Sequence, residues 1–178
     1  MELRLSQFAK DIRALGALEF ALMVPVMLIL WTGTVELAEF HLASRKVTVA
    51  AQSAADLISQ EVSVTEAQLE DIVQAVTAIM GPFPVKGLGI TFVSVEADSD
   101  GRVTIGWRFD GGVAAAGEGA IPTRAIPLVG QDDSVIVAII TYRHRGTFKI
   151  FSDGSAIDTV ITEEAFIRPR RVEKISLD

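Results

Sequence analysis

The chain has 178 residues, no cysteine, two histidines (His41 and His144) and a net charge of −7. Without thiols it can make no disulfide, thiolate metal site or cysteine nucleophile, and two distant imidazoles leave little to build a zinc site from. Residues 1–46 carry five bases and five acids, so the acidic excess falls wholly on the remainder, which repels phosphate backbones and argues against a nucleic-acid partner.

Arg4, Lys10 and Arg13 give the first residues a basic character, and the sequence then turns apolar. Phe20 to Val35 contains no formal charge. As a helix those residues span about 24 Å, slightly less than a hydrocarbon core of about 30 Å. Ala17, Leu18, Leu37 and Ala38 extend the run, so a transmembrane helix over residues 15–38 is expected, with Trp31 near an interface. A cleaved secretory signal fits less well, because the run continues into Glu36 and Glu39 without an Ala-x-Ala site. A buried core helix fits less well too, since a helix apolar on all sides needs a larger protein around it. Three bases before the segment against Arg45 and Lys46 after it place the N-terminus in the cytoplasm and the acidic remainder outside it.

Glu19 sits at the entrance to the apolar run. Its position allows two readings: the carboxylate snorkels to the headgroups, or it pairs with a positive group such as a neighbouring subunit's N-terminal amine. Pro25 removes one helical hydrogen bond, which marks a bend that a membrane helix tolerates.

Helical spacing continues beyond Glu39. Leu42, Val49, Ala50, Leu57 and Ile58 fall near one stripe, supported by small residues at 43, 50, 51, 54 and 55. One helix from about 15 to 60 is expected, or two separated by a break between Glu39 and Ser44. Thr65 can cap a second helix with Leu69, Ile72, Val73, Val76 and Ile79 on its apolar face, ended by Gly81-Pro82. From Gly89 the period becomes two. Strands are expected at Ile90–Val95, Val103–Phe109, Ser134–Tyr142, Gly146–Ser152 and Glu164–Arg168, the first two joined by the turn Asp98-Ser-Asp-Gly101, with a Gly/Ala/Pro-rich loop over 111–130. The fold class is therefore α+β: an N-terminal transmembrane helix continuing into a long helix, a second helix, and a small antiparallel sheet.

The stretch Arg13-Ala-Leu-Gly-Ala-Leu-Glu19-Phe20-Ala-Leu22, with Val24-Pro25 and Gly33-Thr-Val-Glu-Leu37, resembles the N-terminus of the TadE/TadG-like proteins of bacterial tight-adherence (Flp-type) pilus systems. The resemblance continues through Arg45-Lys-Val47 and Gln52-Ser-Ala-Ala-Asp-Leu-Ile58, and more loosely at Phe166-Ile-Arg-Pro-Arg170. It implies a minor-pilin-like (pseudopilin) subunit in the inner membrane, with a basic leader over residues 1–14 cut by a prepilin peptidase. It implies a cut between Ala14 and Leu15, which makes Glu19 the fifth residue of the processed chain. Alanine stands at 14 where the family usually has glycine, and a cut after Gly16 would leave Glu19 only third. The implied assembly determinants are Glu19, Phe20 and Pro25, and the implied partners are the prepilin peptidase, other pilin-like subunits, the pilus assembly platform and membrane lipids. The domain organisation then reads as leader (1–14), membrane helix (15–38), helical stalk and second helix (39–81) and extracytoplasmic β domain (82–178). An uncut accessory anchor in the same membrane, binding pilus or secretion components, is the alternative.

Elsewhere the residue patterns favour structural roles. Asp98-Ser-Asp-Gly101 resembles the start of a calcium loop but lacks the later ligands, and a hairpin turn accounts for it, as turns do for Asp110-Gly111 and Asp153-Gly154. Arg143-His-Arg145 reads as a solvated strand end or a contact for an acidic partner, and the resemblance implies that Arg168-Pro-Arg-Arg171, similar to a recurrent ending of that family, fixes the last strand. Glu163-Glu164 and Asp132-Asp133 are adjacent acids, which point to opposite faces in a strand and make poor acid/base pairs. No nucleophile elbow, phosphate loop or zinc motif occurs, so no cofactor, metal or enzymatic activity is expected.

Overall fold

A computed structural model describes residues 12–112, 119–148 and 156–178. The chain divides into two compact units, residues 1–39 and 40–178, and helix α1 (Ile12–Ser59) contributes to both. The break weighed between Glu39 and Ser44 does not occur, since that stretch contains neither glycine nor proline. Residues 1–11 of the expected leader and the Ala14 side chain lie outside the described residues.

The first unit is helical through Pro25 to its end. Its hydroxyls are satisfied by the helix itself: Thr32 Oγ1 donates to the carbonyls of Leu28 (2.9 Å) and Ile29 (3.1 Å), and Thr34 Oγ1 to that of Leu30 (2.8 Å). Such bonding hides polar groups that hydrocarbon would penalise. This helix is long and apolar enough to cross a membrane.

In the second unit α1 turns a face of small residues inward: Ala43, Val47, Ala50, Ala51, Ala54, Ala55 and Ile58 are all buried in one core. The apolar stripe expected from the sequence is thereby corrected. Ala50 and Ile58 belong to the core, whereas Leu42, Val49 and Leu57 are exposed. Alanines let the helix backbone approach its neighbours closely, so the larger side chains take the outer face.

After the two-residue strand β1 (Ser63–Val64) comes α2 (Glu66–Met80). Thr65 caps it as expected, in a reciprocal box: the Gln68 N–H donates to Thr65 Oγ1 at 3.3 Å and the Thr65 N–H donates to Gln68 Oε1 at 2.8 Å. Leu69, Val76 and Met80 are buried, with Ile72, Val73 and Ile79 against the same core. Lys46 Nζ donates to the Ile79 carbonyl at 2.8 Å, so α1 supplies a cation to the C-terminal end of α2.

Strands β2 (Leu88–Ala97), β3 (Val103–Gly112), β4 (Ser134–Arg145) and β5 (Asp158–Ile167) form an antiparallel sheet in the order β3-β2-β4-β5. Among the described residues four of the five expected antiparallel strands form this sheet, and β1 makes a parallel pair with β6 (Ser176–Leu177). Of the strand expected at Gly146–Ser152, residues 146–148 are irregular and the rest lies outside the described residues. The strand expected at Glu164–Arg168 starts earlier, at Asp158, and ends at Ile167.

The sheet has two different faces. Ile90 and Phe92 of β2, Trp107 of β3, Ile136, Ala138, Ile140 and Tyr142 of β4, and Ile161 and Ala165 of β5 share the core with both helices. Val93, Val95, Val135, Val137 and Ile139 face the other way, into a smaller core with Ala125 and Ile121 from the loop before β4. The C-terminal segment is stitched to the first core by Trp107 Nε1, which donates to the Ile175 carbonyl at 2.7 Å, and by Ser134 Oγ, which donates to that of Glu173 at 2.6 Å.

The β2–β3 turn accounts for Asp98 as the sequence reading did. Its Oδ1 accepts the N–H groups of Asp100 (3.0 Å) and Arg102 (2.7 Å), and Gly101 takes φ +75°. Asp110 departs from that reading: it lies within β3 and not in a turn. Asp153-Gly154 lies outside the described residues.

Candidate functional site

Two surfaces are candidates, one in each unit. The first is the apolar half of α1. Leu15 (64%), Phe20 (68%) and Trp31 (60%) are largely exposed, as are Leu18, Leu22, Met23 and every residue from Val26 to Leu30. Six consecutive apolar positions from 26 to 31, each turned about 100° from the last, leave no polar side. Water would penalise that surface, and lipid or other apolar helices can cover it.

Glu19 and Leu15 stand one helical turn apart on the same side of α1. Side chains on a helix lean toward its N-terminus, so the Glu19 carboxylate is directed toward the turn that holds Leu15. Glu19 is exposed in the isolated chain. Phe20 adds an exposed ring beside it, and Pro25 is carried within the helix. The structure thus places Leu15, Glu19, Phe20 and Pro25 on one exposed helical segment.

The second surface is a cleft of about 530 Å³ in the second unit. One wall is a stripe of α1: Thr48, Ala51, Gln52 and Asp56. The other is β5 from Glu163 to Ile167. Residues 163, 165 and 167 point to one face of the sheet and 164 and 166 to the other. All five line the cleft, so it runs along the outer backbone edge of β5.

Its charges are unevenly paired. Asp56 is held by an ion pair with Arg170, whose N–H also donates to the Ser59 carbonyl at 2.9 Å, closing one end of the cleft. Arg168 reaches the Leu128 carbonyl at 2.8 Å and Asp133 at 3.5 Å. These contacts give the basic ending its structural use, anchoring the chain after β5. Glu164 Oε2 is shielded from solvent, accepts no hydrogen bond among the described residues, and lies 3.8 Å from Arg124 Nη1. The Arg124 guanidinium in turn lies 5.5 Å from the centre of the Phe166 ring. The Glu163 side chain is half-buried and has no hydrogen bond or ion pair among the described residues.

As adjacent strand residues, Glu163 and Glu164 are expected to diverge. They do diverge, yet at a sheet edge both flank the same backbone. Nothing in the sequence marked β5 as the edge strand, so the cleft was not foreseen. Among the described residues no cluster of three or more His, Asp or Glu side chains could hold a metal ion. No family model matches the chain, and no curated protein or solved structure is significantly similar to it.

Proposed function

We propose that the protein is a minor-pilin-like subunit of a tight-adherence pilus system, working by helix packing and partner contact and not by catalysis. The observation that carries the reading is the division of α1. One uninterrupted helix is apolar on all sides over residues 20–35 and then turns a buried face of alanines into an α+β unit. The first part is suited to a bilayer before assembly and to a bundle of like helices after it. The N-terminal residues lie in the cytoplasm, the helix crosses the inner membrane, and the acidic unit lies outside.

In this reading the prepilin peptidase cuts between Ala14 and Leu15 and frees an amine on Leu15. Either charge alone is costly away from water, and pairing offsets part of that cost. Glu19 leans toward that turn of the helix, so it can meet the amine of its own chain or of a neighbour. Its place on the apolar segment then has a use beyond snorkelling.

A second reading is favoured by one residue. Alanine at 14, where the resemblance leads one to look for glycine, suits an uncut chain that remains an accessory anchor and binds pilus or secretion components. Fractionation separates the two. Cells expressing the protein are sheared, and surface filaments are collected apart from membranes. The chain is expected in the filament fraction, and Glu19→Ala is expected to stay in the membrane. Recovery of both proteins only in the membrane supports the accessory anchor and sinks the subunit reading.

A further inference from the structure

The sheet has two edges, and they are not equally protected. β3 carries a register irregularity opposite Ser94 and Val95, contains Gly106, Gly111 and Gly112, and has Val73 of α2 against Gly111. Bulges, short pairing and cover are the usual means of keeping an edge from recruiting another strand. Among the described residues β5 has none of these. It pairs with β4 through ten consecutive residues without a shift, contains no proline or glycine, and has no strand on its outer side among the described residues. Instead, a cleft follows that outer edge, with α1 as its far wall.

We infer that the cleft between β5 and α1 receives an extended, basic segment of a partner protein as an added fifth strand. Backbone groups on the outer edge of β5 supply the pairing, and side chains on either side of the new strand find different surroundings. Residues facing α1 meet Ala51, Gln52, Thr48 and the half-buried Glu163. Residues facing the other way meet Phe166 and Glu164, whose Oε2 lies shielded without a hydrogen bond among the described residues. Ala51 leaves room where a larger residue would fill the cleft.

Charge selects the occupant. Of the carboxylates on β5, Asp158 is paired with Arg143 away from the cleft and Glu164 lies 3.8 Å from Arg124, whereas the Glu163 side chain lines the cleft with no ion pair among the described residues, so it asks for a lysine or arginine opposite. A second copy of this chain, pairing β5 with β5, would set these carboxylates among one another, and like charges facing across strands are destabilising. The same acids keep β5 from self-association while leaving it open to a basic strand. The inference stands apart from the pilus reading, since it needs only an exposed edge and a partner in the same compartment.

The test uses the full chain in an uncharged detergent. The probes are two fluorescein-labelled peptides, acetyl-Thr-Lys-Val-Lys-Val-Lys-Thr-amide and the same peptide with glutamate for lysine. Binding is read by anisotropy, and backbone hydrogen exchange is followed over residues 158–167. The lysine peptide is expected to bind and to slow exchange in β5, while the glutamate peptide does not bind. Glu163→Lys with Glu164→Lys is expected to weaken the lysine peptide by roughly tenfold or more and to admit the glutamate peptide. Glu163→Gln, which keeps the shape, should weaken the lysine peptide by about threefold if a single exposed ion pair is lost. The inference is overturned if the lysine peptide binds with no change in β5 exchange, or if both peptides bind alike. It is also overturned if β5 amides in the free chain already exchange as slowly as those of β2, or if β5 cross-links only to β5 of another copy.

Discussion

Arg108 donates to both oxygens of Asp110 at 2.9 Å, and the buried Thr91 adds a third hydrogen bond at 2.5 Å. The bond from Arg108 is the main influence holding the Asp110 carboxyl below its usual range; burial opposes it, and Thr91 reinforces it. Asp158 is likewise held low, chiefly by its bond from Arg143 with Arg145 nearby. A carboxyl whose folded-state pKa is lowered stabilises the fold above the ordinary aspartate value. That contribution disappears as pH falls through the lowered folded value. Asp110→Asn should therefore lower stability at pH 7 by at most about 1 kcal/mol, because the pair is partly solvated. The difference from the parent should shrink as pH falls toward that lowered value. Thermal unfolding at pH 7 and at pH 3 checks this, and an equal offset at both values contradicts it. His144 poses a different question. It is buried at 3% exposure beside the rings of Phe40 (5.8 Å), Phe83 and Tyr142, and its Nε2 has no hydrogen-bond partner among the described residues. An unpaired buried nitrogen costs stability, so His144→Phe should raise stability by about 1 kcal/mol in urea unfolding. A loss of that size would mean the imidazole has a bound partner.

Helix α2 depends on its first turn. Thr65→Ala removes one half of the capping box and should cost about 1 kcal/mol in the same unfolding experiment. Along α1 the two faces should respond oppositely to size. Ala54 is fully buried, so Ala54→Leu should cost about 1–3 kcal/mol through overpacking, whereas Leu57→Ala on the outer face should change stability by less than about 0.5 kcal/mol. Equal effects at the two positions would contradict the assignment of the inner face. These elements also show what could be read from the residues alone. The apolar run, the Thr65 cap, the Gly81-Pro82 stop and the Asp98 turn follow from local chemistry, and each was legible. On α1 the expected small residues at 43, 50, 51, 54 and 55 all belong to the core, whereas Leu42, Val49 and Leu57 do not, because close helix packing favours small side chains over large ones. β1 and β6 were missed because a two-residue strand carries no period. The start of β5 at Asp158 was hidden because Thr159, Thr162 and two glutamates dilute the alternation. The cleft was invisible for a further reason: strand order is set by pairing between distant segments, so no local pattern distinguishes an edge from a centre.

At the scale of the whole molecule, the two units suit different surroundings. The first presents apolar side chains in every direction, and the second closes its own core. In the proposed function such a chain waits in a bilayer and later passes its helix to a bundle, provided that a buried Glu19 finds a positive partner. The amine of Leu15 is that partner only if the chain is cut before it. The proposed function therefore turns on one bond, between Ala14 and Leu15. The intact mass of the protein, extracted from membranes of cells that contain the prepilin peptidase, tests it most directly. A mass lacking residues 1–14 is the expected result. A full-length mass would contradict the subunit reading and leave an uncut anchor in its place.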